Sequence, residues 1–159
     1  DTIPSIKNHN AAFLYANTSL RMMNILSPHL SDNGFKNYID IMKKDGANFV
    51  YLYTINEGDG GWTPYSPYVN NQIGVQLNSS IINIYKRRLE YIRTKKMGII
   101  LWLRADDSPT FNRVPTSQQD KYQKDMVKHF DKYTSAYVVG LEIDEYFLNP
   151  NVVEHYAAS

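Results

Sequence analysis

Four short apolar runs, separated by stretches with helical spacing, set the strongest limit on how this chain can fold. Ser19 to Leu26 (SLRMMNIL), Asn48 to Ile55 (NFVYLYTI), Gly98 to Leu103 (GIILWL) and the run that begins at Ala136 are all rich in apolar or β-favouring residues, as buried strands are. Between the first two, Phe35, Tyr38, Ile39 and Met42 recur at helical spacing after Asp32-Asn33-Gly34, and Gly46 supplies a C-terminal stop. Ser79 or Ser80 caps a second helix, in which Ile81, Ile84, Tyr85, Leu89 and Ile92 form the buried stripe. Ser117-Gln-Gln-Asp120 has the form of a capping box with Asp in the acidic position, and it opens a third helix through Tyr122, Met126 and Phe130. The expected order is βαβαβαβ.

Alternating strands and helices favour a parallel sheet, because each crossover returns the next strand beside its predecessor. Two α/β architectures follow, a doubly wound sheet and a (β/α) barrel. A doubly wound nucleotide fold wants a glycine-rich turn after an early strand, and the turn here reads NILSPHLSDN. In a barrel one strand face packs on the outer helices and the other points inward, so functional side chains gather at strand C-terminal ends. All four runs meet that expectation. The first carries Arg21 and Met23 on one face and finishes near Asn24, Ser27 and His29; the second ends at Thr54, Asn56 and Glu57; the third puts Trp102, Arg104 and Asp106 on one face.

The fourth run ends in acid. In Ala136-Tyr-Val-Val-Gly-Leu-Glu-Ile-Asp-Glu-Tyr-Phe147, a period of two puts Val139, Leu141 and Ile143 on one face and Val138, Gly140, Glu142 and Asp144 on the other. Glu145 follows at the strand's end. Isolated carboxylates cost several kcal/mol to bury, so Glu142 and Asp144 are expected to meet water, a ligand or basic partners. A salt-bridged mouth, with Arg104 or Arg21 as partner, is the plainer reading; three acids at one strand end exceed what such pairing needs.

Residues 18 to 148 resemble, in pattern, the N-terminal half of a glycoside-hydrolase-type (β/α)8 barrel, also called a TIM barrel. Gly140 to Tyr146 (GLEIDEY) is the most specific part of the likeness. It is similar to the fourth-strand segment of several glycosidase-like families, in which a run from glycine leads to Asp-Glu-Pro, Asn-Glu-Pro or Asn-Glu-Tyr. The resemblance implies that Glu145 is the general acid/base, with Asp144 in the neighbouring Asn or Asp place. Leu141 replaces the common aromatic and Tyr146 a frequent proline, and Glu142 remains a competitor for the acid role. Glycoside hydrolysis usually needs one carboxylic acid to protonate the leaving oxygen and a second carboxylate as nucleophile or base. In such barrels that second group commonly comes from a later strand.

A complete barrel takes about 250 residues, whereas the sequence has 159 and begins at Asp1. The expectation is an arm over residues 1 to 17 and a partial barrel domain over 18 to 159, a fragment or one part of a larger assembly. Its implied partners are a carbohydrate and the remaining half of the barrel, from the same precursor or another chain. A formal charge of +1, with no basic patch, gives no electrostatic case for nucleic acid. No run approaches the roughly 20 apolar residues that span a membrane. No signal peptide is visible, as is also true of a processed secreted or cell-surface protein. The absence of cysteine excludes disulfides and Cys-zinc sites. His9, His29, His129 and His155 are scattered without ligand spacing, so no metal or other cofactor is implied, and His129 falls on the solvated side of the third helix.

The loop from Asn56 to Asn78 is long for a βα connection, which often marks function. Its Trp62, Tyr65 and Tyr68 suit stacking on sugar rings, and equally suit anchoring the loop to its own domain or a neighbouring chain. With Arg21, Asn56, Trp102, Arg104 and Asp106, Trp62 and Tyr65 make up the candidate substrate-binding set. A non-catalytic carbohydrate-binding or structural module of a cell-surface or virion assembly is the alternative, since 13 tyrosines also suit polar aromatic interfaces.

Overall fold

The computed structural model describes residues 23–58, 63–103 and 113–139. Within them the chain forms a mixed α/β fold, with three helices and a three-stranded parallel sheet. Helix α1 (Asp32–Lys44) starts where Ser31 Oγ accepts from the Gly34 amide at 3.0 Å. Asp32 in its first turn and Lys43 and Lys44 in its last complement the helix dipole. Its buried residues, Phe35, Ile39 and Met42, fall on one stripe. Gly46, at φ 91°, then turns the chain into strand β1 (Phe49–Tyr53).

Helix α2 (Ser79–Thr94) is capped by Asn78, whose carboxamide oxygen accepts from the Ser80 and Ile81 amides. Ser79 and Ser80 therefore lie inside the helix and are not its cap. Its buried stripe is Ile82, Tyr85, Arg88, Leu89 and Ile92; Ile81 and Ile84 pack only at the flank. Strand β2 (Gly98–Trp102) follows, then helix α3 (Thr116–Phe130). Pro115 occupies the α3 cap position and provides no side-chain cap, so the expected Ser117 capping box does not form. The Gln119 side chain instead donates from Nε2 to the Val114 carbonyl at 2.6 Å. Tyr122, Met126 and Phe130 are buried as expected. A 3-10 turn over Asp131–Tyr133 leads into strand β3 (Ala136–Val138).

The strands lie in chain order, β1-β2-β3. Phe49 is opposite Gly98 and Tyr53 opposite Trp102, while Ile100 is opposite Ala136 and Trp102 opposite Val138. Strand alternation sorts the side chains. Val50, Leu52, Ile99 and Leu101 join the stripes of all three helices in one cluster, each contributing about 1.5–3 kcal/mol by burial. The opposite face carries Phe49, Tyr51, Tyr53, Ile100 and Trp102. A Cβ on Gly98 would lie 2.3 Å from Phe49 Cε1, so only glycine leaves room for that ring. Tyr53 and Met23 form a second small cluster, with Tyr51 and Trp102 packed against it.

The run expected as a first strand is corrected where it is described. Met23 is helical and Asn24–Leu26 form a turn, with the Ser27 amide bonded to the Asn24 carbonyl at 3.0 Å. Met23, Ile25 and Leu26 are buried all the same, and burial is the signal the strand reading rested on. Most of the fourth run, from residue 140 onward, lies outside the described residues.

Candidate functional site

The C-terminal ends of β1 and β2 are tied together by hydroxyl groups. The Thr54 amide donates to the Trp102 carbonyl at 3.0 Å, and Tyr85 OH donates to the Thr54 carbonyl at 3.1 Å. Tyr122 OH donates to the Leu103 carbonyl and bonds Thr54 Oγ1. Burial pushes the Tyr85 hydroxyl well above its ordinary pKa, so it stays protonated and able to donate.

Asn24, Asn56 and Tyr65 make the polar centre beside these ends. Asn24 Oδ1 accepts from Asn56 Nδ2 at 3.0 Å and from Tyr65 OH at 2.9 Å. Asn56 and Tyr65 also exchange backbone hydrogen bonds as an isolated antiparallel bridge, and Asn56 Oδ1 accepts from the Gly58 amide at 2.7 Å. Tyr65 is buried, which raises its hydroxyl pKa well above normal. Further along the loop, Tyr68 is also buried and its OH donates to Asp125 Oδ2 on α3 at 2.7 Å; burial, then that carboxylate, raises its pKa. Gly74, at φ 75°, presses against the Gln118 backbone, where a Cβ would meet the carbonyl oxygen at 2.2 Å. Of the two readings of the loop aromatics, anchoring to their own domain describes Tyr65 and Tyr68.

Arg88 holds the facing turn. Its side chain is 3% exposed, and Nη1 donates to the carbonyls of Ile25, Leu26 and Ser27 at 3.2, 3.0 and 2.7 Å. Nη2 bonds the Leu30 carbonyl, and Nε and Nη2 reach Asp32 Oδ1 at 3.2 Å. The guanidinium also stands 5.2 Å from the Phe35 ring centre. Hydrogen bonds from Arg87 first, then from Arg88, hold the Asp32 carboxyl below the usual aspartate range. Burial lowers the Arg88 pKa, against the opposing pull of Asp32, and arginine still keeps its charge.

The structure places some of the sequence-predicted residues and not others. Asn56 and Tyr65 are brought together in the polar centre. Trp102 stands on the far face of the sheet, edge-on to Tyr51 and Tyr53 with centroids 5.9 and 6.1 Å apart. Its Nε1 is buried and has no hydrogen-bond partner among the described residues. Arg21, Trp62, Arg104, Asp106, Glu142, Asp144 and Glu145 lie outside the described residues. His129, expected in solvent, is half-buried beside Phe130, and burial lowers its pKa. Sequence reading missed Arg88 and Tyr122 as polar anchors. Arg88 had a readable signal, a charge within the Tyr85, Leu89, Ile92 stripe of α2.

Two cavities flank the polar centre. One of about 210 Å³ is lined by Asn24, Ser27, His29, Tyr38 and Thr63, among others, and one of about 130 Å³ by Asn56, Glu57, Tyr65, Ser66 and Asn71. A third, of about 280 Å³, lies between α1 and α2 around Phe35, Arg87 and Tyr91. No described group of three or more His, Asp or Glu side chains is placed to hold a metal ion, and no described helix is long and apolar enough to cross a membrane. No protein-family model and no curated protein matches the sequence.

Proposed function

We propose that the chain is a segment of a glycoside-hydrolase-type (β/α)8 barrel acting on a poly- or oligosaccharide. One observation carries the barrel reading: α1, α2 and α3 all bury their stripes against the same face of a sheet whose parallel strands run in chain order. A barrel wall has helices on one side only, as this sheet has over its three described strands, whereas a complete doubly wound sheet has them on both.

The catalytic reading adds the sequence pattern to that wall. Val138 is opposite Trp102, on the face away from the helices, and Glu142 and Asp144 have Val138's parity in the sequence. Glu145 is the proposed general acid/base, and Glu142 and Asp144 are the proposed cleft carboxylates. Clustered acids raise one another's pKa, which keeps one of them protonated and able to donate to the leaving oxygen. Trp102, Arg104, Asp106, Trp62 and Arg21 are proposed to contact the sugar. The completing strands, from the same precursor or another chain, supply the second catalytic carboxylate.

The test is turnover of a glycan panel by the complete protein, with Glu145→Gln and Glu142→Gln as variants. Loss of rate in Glu145→Gln supports the assignment, and equal rates in both variants and the parent defeat it. The second reading is a non-catalytic carbohydrate-binding or structural module; the burial of Tyr65 and Tyr68 within the fold favours a structural role for these two loop rings over stacking on a sugar. Saturable glycan binding without turnover in the parent protein decides for that reading.

A further inference from the structure

We propose that the cavity of about 210 Å³ beside Asn24 is a binding site for one neutral, hydroxyl-bearing ring, a single uncharged sugar unit. Only the word sugar rests on the strand-end reading; the preference for a neutral polar ring comes from the walls.

Size comes first. An engineered protein cavity of about 150 Å³ accepts a benzene ring, and a water needs only about 10–15 Å³. The space therefore suits one six-membered ring better than a single water or an extended chain.

The walls divide into an oily part and a hydroxyl part. Ile25 and Leu30 supply apolar surface for ring C–H groups. Ser27 is 6% exposed; its Oγ accepts from the His29 amide at 3.3 Å, and its hydrogen has no acceptor among the described residues. Tyr38, on the same cavity, has no hydrogen-bond partner for its hydroxyl among the described residues. His29 Nε2 is 3.2 Å from the Pro64 carbonyl, which can only accept, so Nε2 carries the proton and the neutral ring offers Nδ1 as an acceptor. Two donors and one acceptor around an apolar floor match a polyol ring. Buried donors are normally satisfied, and here a ligand hydroxyl would satisfy Ser27.

Charge selects against ions. Among the described residues no carboxylate, ammonium or guanidinium lines the space. A ligand carboxylate would lose water without gaining a cation. Pre-organisation favours binding as well: Arg88 fixes the carbonyls of Ile25, Leu26, Ser27 and Leu30, so this wall needs no ordering when a ligand arrives.

The experiment titrates the complete protein with methyl glucoside, methyl N-acetylglucosaminide and glucuronate, following the His29 imidazole and the backbone amides of residues 24–30 by NMR. The expected result is a saturable shift with at least one neutral glycoside and roughly tenfold or more weaker binding of glucuronate. Ser27→Ala and Tyr38→Phe are each expected to weaken the neutral glycoside roughly three- to tenfold, as for a lost hydrogen bond. No saturable shift with either glycoside, equal binding of glucuronate, or unchanged affinity in both variants overturns the proposal. Its failure is separable from that of the catalytic reading. Unchanged glycan turnover in Glu145→Gln and Glu142→Gln beside a persistent His29 shift sinks only the enzyme assignment, and the converse pattern sinks only this site.

Discussion

Arg88 Nη1 donates to the Ser27 carbonyl at 2.7 Å, across 61 residues of sequence. The bond ties the middle of α2 to the turn that precedes α1, and the same guanidinium serves three further carbonyls of that turn.

Arg88→Met is expected to destabilise the protein by about 3 kcal/mol or more, because several carbonyls lose a charged donor in a buried place. Arg88→Lys should recover less than half of this, since one ammonium cannot reach carbonyls spread from Ile25 to Leu30. Urea denaturation of both variants checks the order. Equal stability of Lys and Arg would contradict the fork geometry.

Gly98→Ala is expected to cost roughly 1–3 kcal/mol, by driving a methyl into the Phe49 ring. Combined with Phe49→Leu, the same change should cost less than it does alone. A double-mutant cycle measures this coupling, and strict additivity would mean the two residues do not meet.

Tyr122→Phe removes a buried hydroxyl that bonds Thr54 and the Leu103 carbonyl, at an expected cost of about 1–2 kcal/mol. The loss should be accompanied by faster amide exchange at Thr54 and Leu103, where β1 and β2 end. Unaltered exchange there would show that the strand ends are held by other bonds.

Asp32→Asn tests the outer side of the Arg88 cluster. Asp32 has a folded pKa below its ordinary 3.8, so its contribution is complete above that value and is lost as pH falls through the lower folded value. Its side chain is 48% exposed, so solvent screening limits the contribution to under about 1 kcal/mol. The stability gap between parent and variant should be present at pH 7 and close on acidification below the ordinary aspartate pKa. A gap of constant size down to pH 2 would remove the ion pair as its cause.

The helices and the middle strands were legible because each repeats one physical pattern over many residues. Phe35, Ile39 and Met42, and Tyr122, Met126 and Phe130, sit on stripes readable by spacing alone. Caps were less legible. Asn78 is as good a cap as Ser79, and sequence does not say which residue first leaves helical geometry. The first run, Ser19 to Leu26, misled over its described end for a different reason: burial produces an apolar run whether the backbone is extended or turned, and Met23 to Leu26 show burial without extension. Within the candidate site, the strand-end positions of Thr54 and Asn56 were readable. The bonds that join Asn24, Asn56 and Tyr65 were not, because they connect residues 32 and 41 positions apart.

The sheet with its helices on one side also bears on the order of assembly during synthesis. β1, β2 and β3 pair in the sequence in which they emerge, and each helix docks on the side already occupied by the one before it. A nascent chain can thus add one strand and one helix at a time to an edge that already exists, without waiting for a distant partner. Some bonds must wait: the turn at Ile25–Leu30 takes its final bonds only when Arg88 has left the ribosome and α2 has closed over it, and Thr54 and Tyr68 meet Tyr122 and Asp125 only once α3 has followed.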